Sequence, residues 1–217
     1  MVRVCSLPVI TDADTGYGDA TSVHANVRLL EAAGAAAIQI EDQVWPKRCG
    51  HMVGKEVIDA DAAVRKIASA VAARRHPETL IIARTDALHP LGLEEALTRA
   101  RRFHDVGADV VFVDAPESVD HLRRIGSTVP GTLMANMSEG GRTPLLGAEE
   151  LGALGFKIII YPTAALRVAS QHIQQFFADL REAGNSDLWH ARMDSLDELN
   201  ALVGLDRYLA LDAAFAG

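Results

Sequence analysis

Six short apolar runs, separated by stretches of helical periodicity, constrain the fold of this chain more than any other feature. The runs are continuous in hydrophobicity rather than alternating, as expected for strands that are buried on both faces. Strand and helix in repeated alternation predict parallel strands joined by helical crossovers. The predicted strands cover residues 7–10, 36–40, 80–83, 110–113, 132–135 and 157–161.

The stretches between the runs carry apolar residues at helical spacing. They predict helices over about residues 20–30, 60–71 and 93–103, and shorter helices around 119–125 and 148–154. Gly34 and Gly107 follow the first and third of these, where glycine commonly ends a helix. Residues 167–217 are also helical in pattern.

Polar or charged side chains follow each apolar run. In a (β/α)₈ barrel, the carboxyl ends of successive strands converge on one active-site face. A doubly wound sheet would concentrate its site at one switch point, and no glycine-rich dinucleotide fingerprint follows any run. The sequence therefore predicts an α/β barrel, although it shows six strand–helix units rather than eight. In chain order, the residues after the runs are Asp12 and Asp14; Glu41 and Asp42; Arg84, Thr85 and Asp86; Asp114; Asn136 and Ser138; and Tyr161.

The first of these strand ends, Asp12-Ala-Asp14-Thr-Gly-Tyr-Gly, indicates a metal site. Side chains two apart on a strand lie on the same face, so we expect Asp12 and Asp14 to project together. Two neighbouring carboxylates repel each other unless a cation or proton lies between them, and Mg²⁺ prefers oxygen ligands. An ordinary turn rich in aspartate and glycine remains the alternative interpretation.

Composition excludes several classes of protein. A chain of 217 residues, 49% of them hydrophobic, can bury one sizeable core, and a net charge of −8 argues against binding to nucleic acid or anionic membranes. No apolar run approaches the roughly 20 residues that span a bilayer, and Asp12 follows too soon for a signal peptide. Cys5 and Cys49 do not make a disulfide framework. We therefore expect a soluble, cytoplasmic protein.

Six motifs, in order and each at or just after a predicted strand end, resemble those of the isocitrate lyase/phosphoenolpyruvate mutase superfamily. The chain is most similar to the group of 2-methylisocitrate and 2,3-dimethylmalate lyases, and Lys47-Arg-Cys-Gly-His51 resembles the signature loop of the carbon–carbon lyases. The resemblance extends through Tyr161 and fades toward the C-terminus. The other five motifs are Asp12-Ala-Asp14-Thr-Gly-Tyr-Gly, Ile40-Glu-Asp-Gln, Ala83-Arg-Thr-Asp-Ala87, Asp114-Ala-Pro-Glu-Ser118 and Ala135-Asn-Met-Ser138.

The resemblance implies a role for each matching residue. Cys49 would act as the acid/base, in an environment where neighbouring positive charge favours its thiolate. An incidental surface thiol is the alternative for Cys49, an ion pair with Asp86 or Asp114 is the alternative for Arg84, and a packing role is the alternative for Tyr17. The implied metal ligands are Asp12, Asp14 and Glu41, holding Mg²⁺ or Mn²⁺; the catalytic residues are Cys49, Tyr17, Lys47 and His51; the substrate-binding residues are Arg84, Gly50, Asn136, Ser138 and Asp114.

The implied activity is Mg²⁺-dependent cleavage of a carbon–carbon bond in a 2-hydroxy dicarboxylate or tricarboxylate, giving a 2-keto acid such as pyruvate and a second carboxylate through an enolate. Hydrolysis or decarboxylation of oxaloacetate, phosphonopyruvate-type chemistry and an inactive truncated remnant are the alternatives. Asp114 departs from the pattern, because lyases of this group carry glutamate there. The shorter side chain withdraws the carboxylate by about 1 Å, a displacement that can cost about 10²-fold in rate. We therefore expect an altered substrate or a reduced activity.

The resemblance also implies the organisation of the chain. We expect residues 1–185 to form the third to eighth units of a (β/α)₈ TIM barrel of the phosphoenolpyruvate mutase type, without the first two units. Residues 186–217 would form a helical extension that is exchanged between subunits of a homodimer or homotetramer. Such association would also cover the strand edges that an open barrel leaves exposed.

Overall fold

The computed structural model describes residues 1–49 and 54–215, and this part of the chain contains one sheet of six parallel strands. The strands follow one another across the sheet in chain order, which confirms the parallel arrangement predicted from the apolar runs. Their bounds are β1 (Ile10–Asp12), β2 (Ala37–Glu41), β3 (Leu80–Thr85), β4 (Val110–Val113), β5 (Thr132–Asn136) and β6 (Phe156–Ile160).

Helices connect successive strands, and the five predicted from apolar spacing are confirmed. Parallel crossovers are right-handed, so strands in sequential order place their helices on one side of the sheet. The helix Ala20–Ala32 contacts the helix Ala60–Ala73, which in turn contacts Leu93–Asp105, and that helix contacts Val119–Thr128, as expected for helices on one side. The result is a curled half-barrel rather than a doubly wound sheet. The helices are α1 (Ala20–Ala32), α2 (Ala60–Ala73), α3 (Leu88–Leu91), α4 (Leu93–Asp105), α5 (Val119–Thr128) and α6 (Ala148–Ala153).

Local side-chain chemistry sets the helix ends. The carboxylates of Asp19 and Asp59 and the hydroxyl of Ser118 accept hydrogen bonds from backbone N–H groups in the first turns of α1, α2 and α5. These bonds satisfy donors that a helix N-terminus otherwise leaves unpaired. Gly34 and Gly107, the two predicted stops, have φ angles of 92° and 97°, a conformation that favours glycine.

The two faces of the sheet pack against different sets of residues. The larger core includes Ile38, Ile40 and Ile81, whereas Ile82 and Phe112 belong to a smaller core on the opposite face. Because side chains alternate along a strand, the polar residues that end β2, β3, β4 and β5 fall on the face of the smaller core. Strand periodicity therefore directs four predicted site residues to one side of the sheet: Glu41, Arg84, Asp114 and Asn136.

The predicted position of the first strand is wrong by about three residues. The run at residues 7–10 was expected to be the strand, but β1 is Ile10–Asp12, and pairing with β2 begins at Ile10 and Ala37. Pro8 has no backbone N–H to donate to a ladder, and Leu7 is 72% exposed. The strand stops at Asp12, so alternation does not orient Asp14, which has a φ of 48° in the following turn.

The chain divides into two compact units, Met1–Ala164 and Ala165–Gly217. The division lies about twenty residues before the expected boundary at residue 185, because Ala164–Ala183 is one helix that is tied to the segment after it. In the second unit, the indole N–H of Trp189 donates to Asp179 Oδ2 at 2.8 Å, and the Trp189 ring packs edge-on against Phe176. Its helices are α7 (Ala164–Ala183), a 3₁₀ helix (Asp187–Arg192), α8 (Leu196–Leu202) and α9 (Leu205–Phe215).

Among the helices of the described ranges, none combines the length and the hydropathy needed to cross a membrane.

Candidate active site

Strand register brings Glu41 and Arg84 together at the carboxyl end of the sheet. The two residues are paired across β2 and β3, and Arg84 Nε lies 3.5 Å from Glu41 Oε2. Arg84 is also paired with Phe112 on β4, and its guanidinium carbon lies 5.2 Å from the centre of the Phe112 ring. The aromatic ring therefore supports the guanidinium from the side of the smaller core.

The Arg84 guanidinium also binds two aspartates. Its Nε and Nη2 donate to the two carboxylate oxygens of Asp86 at 2.9 and 3.0 Å, and Nη2 donates to Asp114 Oδ2 at 2.8 Å. Asn136 Nδ2 donates to the other oxygen of Asp114 at 3.3 Å. Burial would lower the pKa of Arg84, but the charges of Asp114 and Asp86 raise it above its usual value. The ion pairs that sequence reasoning left open for Arg84 are therefore both present.

The carboxylate of Glu41 lies in an environment that disfavours its negative charge. Its side chain is 1% exposed, and neither carboxylate oxygen has a hydrogen-bond partner among the described residues. Burial raises the pKa of Glu41 to about 7, and the charge of Arg84 only partly opposes this. A buried carboxylate without hydrogen bonds is costly, so the position favours a proton or a further cation beside it.

Lys47 is a cation that lies close to two of the predicted metal ligands. Its Nζ lies 2.7 Å from Asp14 Oδ1 and 3.8 Å from Glu41 Oε1. Burial would lower the pKa of Lys47, but the hydrogen bond to Asp14 and the charge of Glu41 outweigh burial and raise it. One ammonium group is thus shared by two of the three predicted ligands.

The turn after β1 places the remaining ligand and Tyr17. Asp12 Oδ1 accepts a hydrogen bond from the Asp14 N–H at 2.9 Å, which folds the turn back on the strand end. Burial and the negative charges of Asp14 and Asp12 raise the pKa of Tyr17, so its hydroxyl lies within the field of both carboxylates. Tyr17 is 52% exposed and lines a cavity of about 460 Å³ together with Gln43 and Trp45. Tyr17 is therefore exposed beside these carboxylates rather than packed in the core.

The donor set fits a divalent cation. Carboxylate oxygens are the preferred ligands of Mg²⁺, and the two unpartnered oxygens of Glu41 are available to accept a positive charge. In the described ranges, however, no three Asp, Glu, His or Cys side chains converge into a complete ligand cluster. Here the ammonium of Lys47 supplies the positive charge that Asp14 and Glu41 share.

The segment that carries Cys49 is held by Gln43. The amide side chain of Gln43 donates to the carbonyl oxygen of Arg48 and accepts from its N–H, both at 2.9 Å. Cys49 is an exposed free thiol next to this clamp. Gly50 and His51, two further predicted site residues, lie outside the described residues. Ser138 follows β5 and is half-buried. Among the described residues, its side chain makes no hydrogen bond with Arg84, Asp86 or Asp114.

Sequence reasoning missed two buried cations, Lys55 and Arg99, that bind aspartates at the strand ends. Lys55 Nζ lies 3.0 Å from Asp86 Oδ1, and both side chains are almost completely buried. Asp42 accepts hydrogen bonds from the Thr85 hydroxyl, the Asp86 N–H and Arg99. A lysine or arginine far along the chain gives no periodic signal of such a role, so these residues could be identified only from the fold.

Together, these residues form a largely buried network of charged and polar groups at the strand ends. Because Nε and Nη2 of Arg84 donate to Asp86 and Asp114, the N–H groups of Nη1 are left to bind a substrate carboxylate, while Glu41 and Asp14 can hold a cation next to it. A cation and a guanidinium so placed can stabilise negative charge that develops on a bound oxyanion. The arrangement suits a reaction of a small carboxylic acid that passes through an enolate.

Comparison with known proteins gives consistent matches over this sheet and site. The phosphoenolpyruvate phosphomutase family matches residues 1–181. The chain is 44% identical to a 2,3-dimethylmalate lyase of Eubacterium barkeri, with 100% of this chain and 75% of that protein covered. It is 42% identical to a probable 2-methylisocitrate lyase of Corynebacterium glutamicum, with 98% and 70% covered.

Solved structures agree with these matches. A crystal structure of 2,3-dimethylmalate lyase superimposes with a TM-score of 0.88 at 39% identity, covering 98% of this chain and 71% of that one. A phosphonopyruvate hydrolase in complex with oxalate and Mg²⁺ superimposes with a TM-score of 0.86 at 31% identity, covering 100% and 75%. The likeness therefore includes both the fold and a substantial share of the sequence.

Proposed function

This chain belongs to the phosphoenolpyruvate phosphomutase family and is a carbon–carbon lyase, and we propose that it cleaves a 2-hydroxy dicarboxylate or tricarboxylate resembling 2,3-dimethylmalate or 2-methylisocitrate. The products are a 2-keto acid such as pyruvate and a second carboxylate. The observation that carries this proposal is the buried Arg84 guanidinium next to the carboxylate of Glu41, whose oxygens accept no hydrogen bond from the described residues; together the two groups suit a carboxylate ligand and a cation.

The substrate is bound through its charged groups. Arg84 grips one carboxylate, with Asn136, Ser138 and the Gly50 segment assigned to the other. The two carboxylate oxygens of Asp114 accept hydrogen bonds from Arg84 and Asn136. Asp114 therefore orients the guanidinium in this proposal, and it limits which substituent fits beside Arg84.

Asp12, Asp14 and Glu41 would hold Mg²⁺, for which Mn²⁺ can substitute. When bound, such an ion supplies Lewis-acid stabilisation of negative charge on the substrate oxygens. A solved relative that contains Mg²⁺ and oxalate supports the choice of ion. The neighbouring Lys47 ammonium, 2.7 Å from Asp14, adds positive charge on the same side.

Cleavage proceeds as a retro-aldol reaction. Tyr17, as a phenolate close to the Lys47 ammonium, takes the proton of the 2-hydroxyl group. The C2–O bond becomes a carbonyl, the bond between C2 and C3 breaks, and the electron pair of that bond passes to C3 and the adjoining carboxylate as an enolate. Cys49 then protonates the enolate carbon, with His51 assisting the thiol.

The finer features of organisation belong to the same proposal. The six strands correspond to the third to eighth units of an eight-unit barrel, a correspondence supported by the sequential parallel order and the TM-score of 0.88. The active form is a homodimer or homotetramer in the cytoplasm, without nucleic-acid or membrane partners. Light scattering of the purified protein measures the assembly.

A coupled assay tests the activity. Purified protein is offered 2,3-dimethylmalate, 2-methylisocitrate and oxaloacetate with Mg²⁺, and 2-keto acid release is followed through lactate dehydrogenase. We expect pyruvate from one of the two hydroxy acids, and loss of activity in EDTA that is restored by Mg²⁺. Release of oxalate from oxaloacetate instead would favour the hydrolase alternative.

Substitution of Cys49 separates catalysis from binding. We expect Cys49→Ser to lower kcat by about 10²-fold or more, as is typical for loss of a general acid, while Mg²⁺ binding measured by calorimetry is retained. Cys5→Ser is the matched control, because Cys5 is the other exposed free cysteine. An unchanged kcat in Cys49→Ser, or no 2-keto acid from any substrate, would overturn the proposal.

A further inference from the structure

Lys55 is a buried cation that the proposed reaction does not use. Only 4% of the residue is exposed. Lys55 Nζ lies 3.0 Å from Asp86 Oδ1 and 3.9 Å from Asp114 Oδ2. It therefore contacts the same two carboxylates that bind Arg84.

The side chains of Lys55, Arg84, Asp86 and Asp114 form a network of ion pairs. Asp86 Oδ1 accepts from both Lys55 Nζ and Arg84 Nη2, each at 3.0 Å, and Asp114 Oδ2 lies near both cations as well. Two positive groups thus face two negative groups within a region that excludes water. Charges in such a region are screened weakly, so removal of one cation would strongly change the electrostatic potential at the other cation and at both aspartates.

Without Lys55, Arg84 alone would compensate two aspartates. The positive charge of Arg84 would then be neutralised by these aspartates, and their remaining negative charge would repel a substrate carboxylate. Glu41, 3.5 Å from Arg84, would add to the repulsion. Lys55 removes this difficulty because it supplies a second positive charge next to both aspartates.

The position of Asp86 is fixed independently of Lys55. The Asp86 N–H donates to Asp42 Oδ1 at 2.8 Å, and Asp42 is itself held by Thr85 and Arg99. Removal of the Lys55 ammonium therefore changes the charge around Arg84 while the backbone of the strand end remains anchored. This separation makes the role of Lys55 testable.

We propose that Lys55 is a positioning residue for substrate binding, whose ammonium neutralises Asp86 and Asp114 so that the Arg84 guanidinium keeps its attraction for a substrate carboxylate. The inference rests on the proposed function, in which Arg84 binds that carboxylate. Lys55 touches neither substrate nor metal, so it acts only through the two aspartates.

The test uses Lys55→Met, which keeps the length of the side chain and removes its charge, with the exposed Lys157→Met on β6 as matched control. Oxalate is the binding probe, titrated by calorimetry in the presence of Mg²⁺, and KM and kcat are measured with the best hydroxy acid. We expect Lys55→Met to raise the oxalate Kd and the KM about tenfold or more, with kcat within about threefold. Lys157→Met should match the wild type.

This pattern distinguishes positioning from a purely structural role. Partial unfolding lowers the concentration of active enzyme and hence the apparent kcat, but it leaves KM and Kd of the folded molecules unchanged. A wild-type Kd and KM in Lys55→Met would overturn the inference, whatever happens to kcat.

A second comparison keeps the inference testable if Lys55→Met alone does not fold. Asp86→Asn removes one of the two negative charges that Lys55 neutralises, so the double variant Asp86→Asn/Lys55→Met has the same net charge around Arg84 as the wild type and should bind oxalate within about threefold of the wild-type Kd. A larger increase in Kd would overturn the inference. If the wild type releases 2-keto acid but these variants show no such pattern, only the role of Lys55 fails; if the wild type neither binds oxalate nor releases 2-keto acid, the proposed function fails with it.

Discussion

The carboxylate of Glu41, buried without a hydrogen bond from the described residues, predicts that the metal-free protein becomes less stable as pH rises. The pKa of Glu41 is about 7 in the fold, against 4.5 for an ordinary glutamate, because the group is buried. Between these two values, the folded state keeps a proton that the unfolded state has lost. Its contribution to stability is therefore fully present below about pH 4.5 and is lost as pH rises to about 7.

The substitution Glu41→Gln isolates this contribution, because glutamine resembles the protonated acid and does not titrate. The free energy of unfolding of Glu41→Gln minus that of the wild type should be more favourable at pH 8 than at pH 5 by about 2 kcal/mol, since each pKa step is worth about 1.4 kcal/mol. The pKa of Asp86 is about 2, because the charges of Arg84 and Lys55 outweigh its burial, so Asp86 does not titrate in this range.

The assay is urea denaturation at pH 5 and pH 8 in EDTA, followed by circular dichroism. Glu56→Gln is the control, because Glu56 is exposed and its substitution should not change the pH dependence. Added Mg²⁺ at pH 8 should stabilise the wild type and not Glu41→Gln. A stability difference between Glu41→Gln and wild type that is the same at both pH values would refute the reasoning.

Three further predictions follow from the geometry of the charges and the sheet. Arg84→Lys keeps the charge but loses the paired hydrogen bonds to Asp86 that orient the group and the remaining guanidinium donors, so we expect KM to rise about tenfold or more; an unchanged KM in steady-state kinetics would contradict the assignment. Arg99→Met leaves the buried Asp42 carboxylate without its cation, and urea denaturation at pH 7 should show a loss of about 3–5 kcal/mol, whereas an unaltered midpoint would remove Arg99 from the network. Gly126→Ala would place a Cβ 1.8 Å from the Leu154 carbonyl oxygen and should destabilise the fold by about 1–3 kcal/mol or more, while Gly152→Ala on α6, which meets nothing within 4 Å, should be neutral or stabilising in the same thermal melt.

The apolar runs and the spacing of apolar residues were sufficient to predict the parallel sheet and its helices. Buried strands and amphipathic helices have different periods, so the pattern can be read without knowledge of contacts between distant residues. The first strand was misplaced, because hydrophobicity at Leu7 and Val9 does not reveal that Pro8 cannot join the ladder. The likeness of the chain to a family was also readable from short motifs at the strand ends.

The sequence alone determined that Glu41, Arg84, Asp114 and Asn136 end neighbouring strands, since strand order and alternation follow from local pattern. Only the tertiary structure decided which charges meet. Arg84 binds Asp86 and Asp114 together, and Lys55 contacts Asp86 as well. Lys47 lies close to both Asp14 and Glu41. The physical reason is that periodicity is a property of neighbours along the chain, whereas electrostatic energy depends on distances of a few ångströms between residues far apart in it.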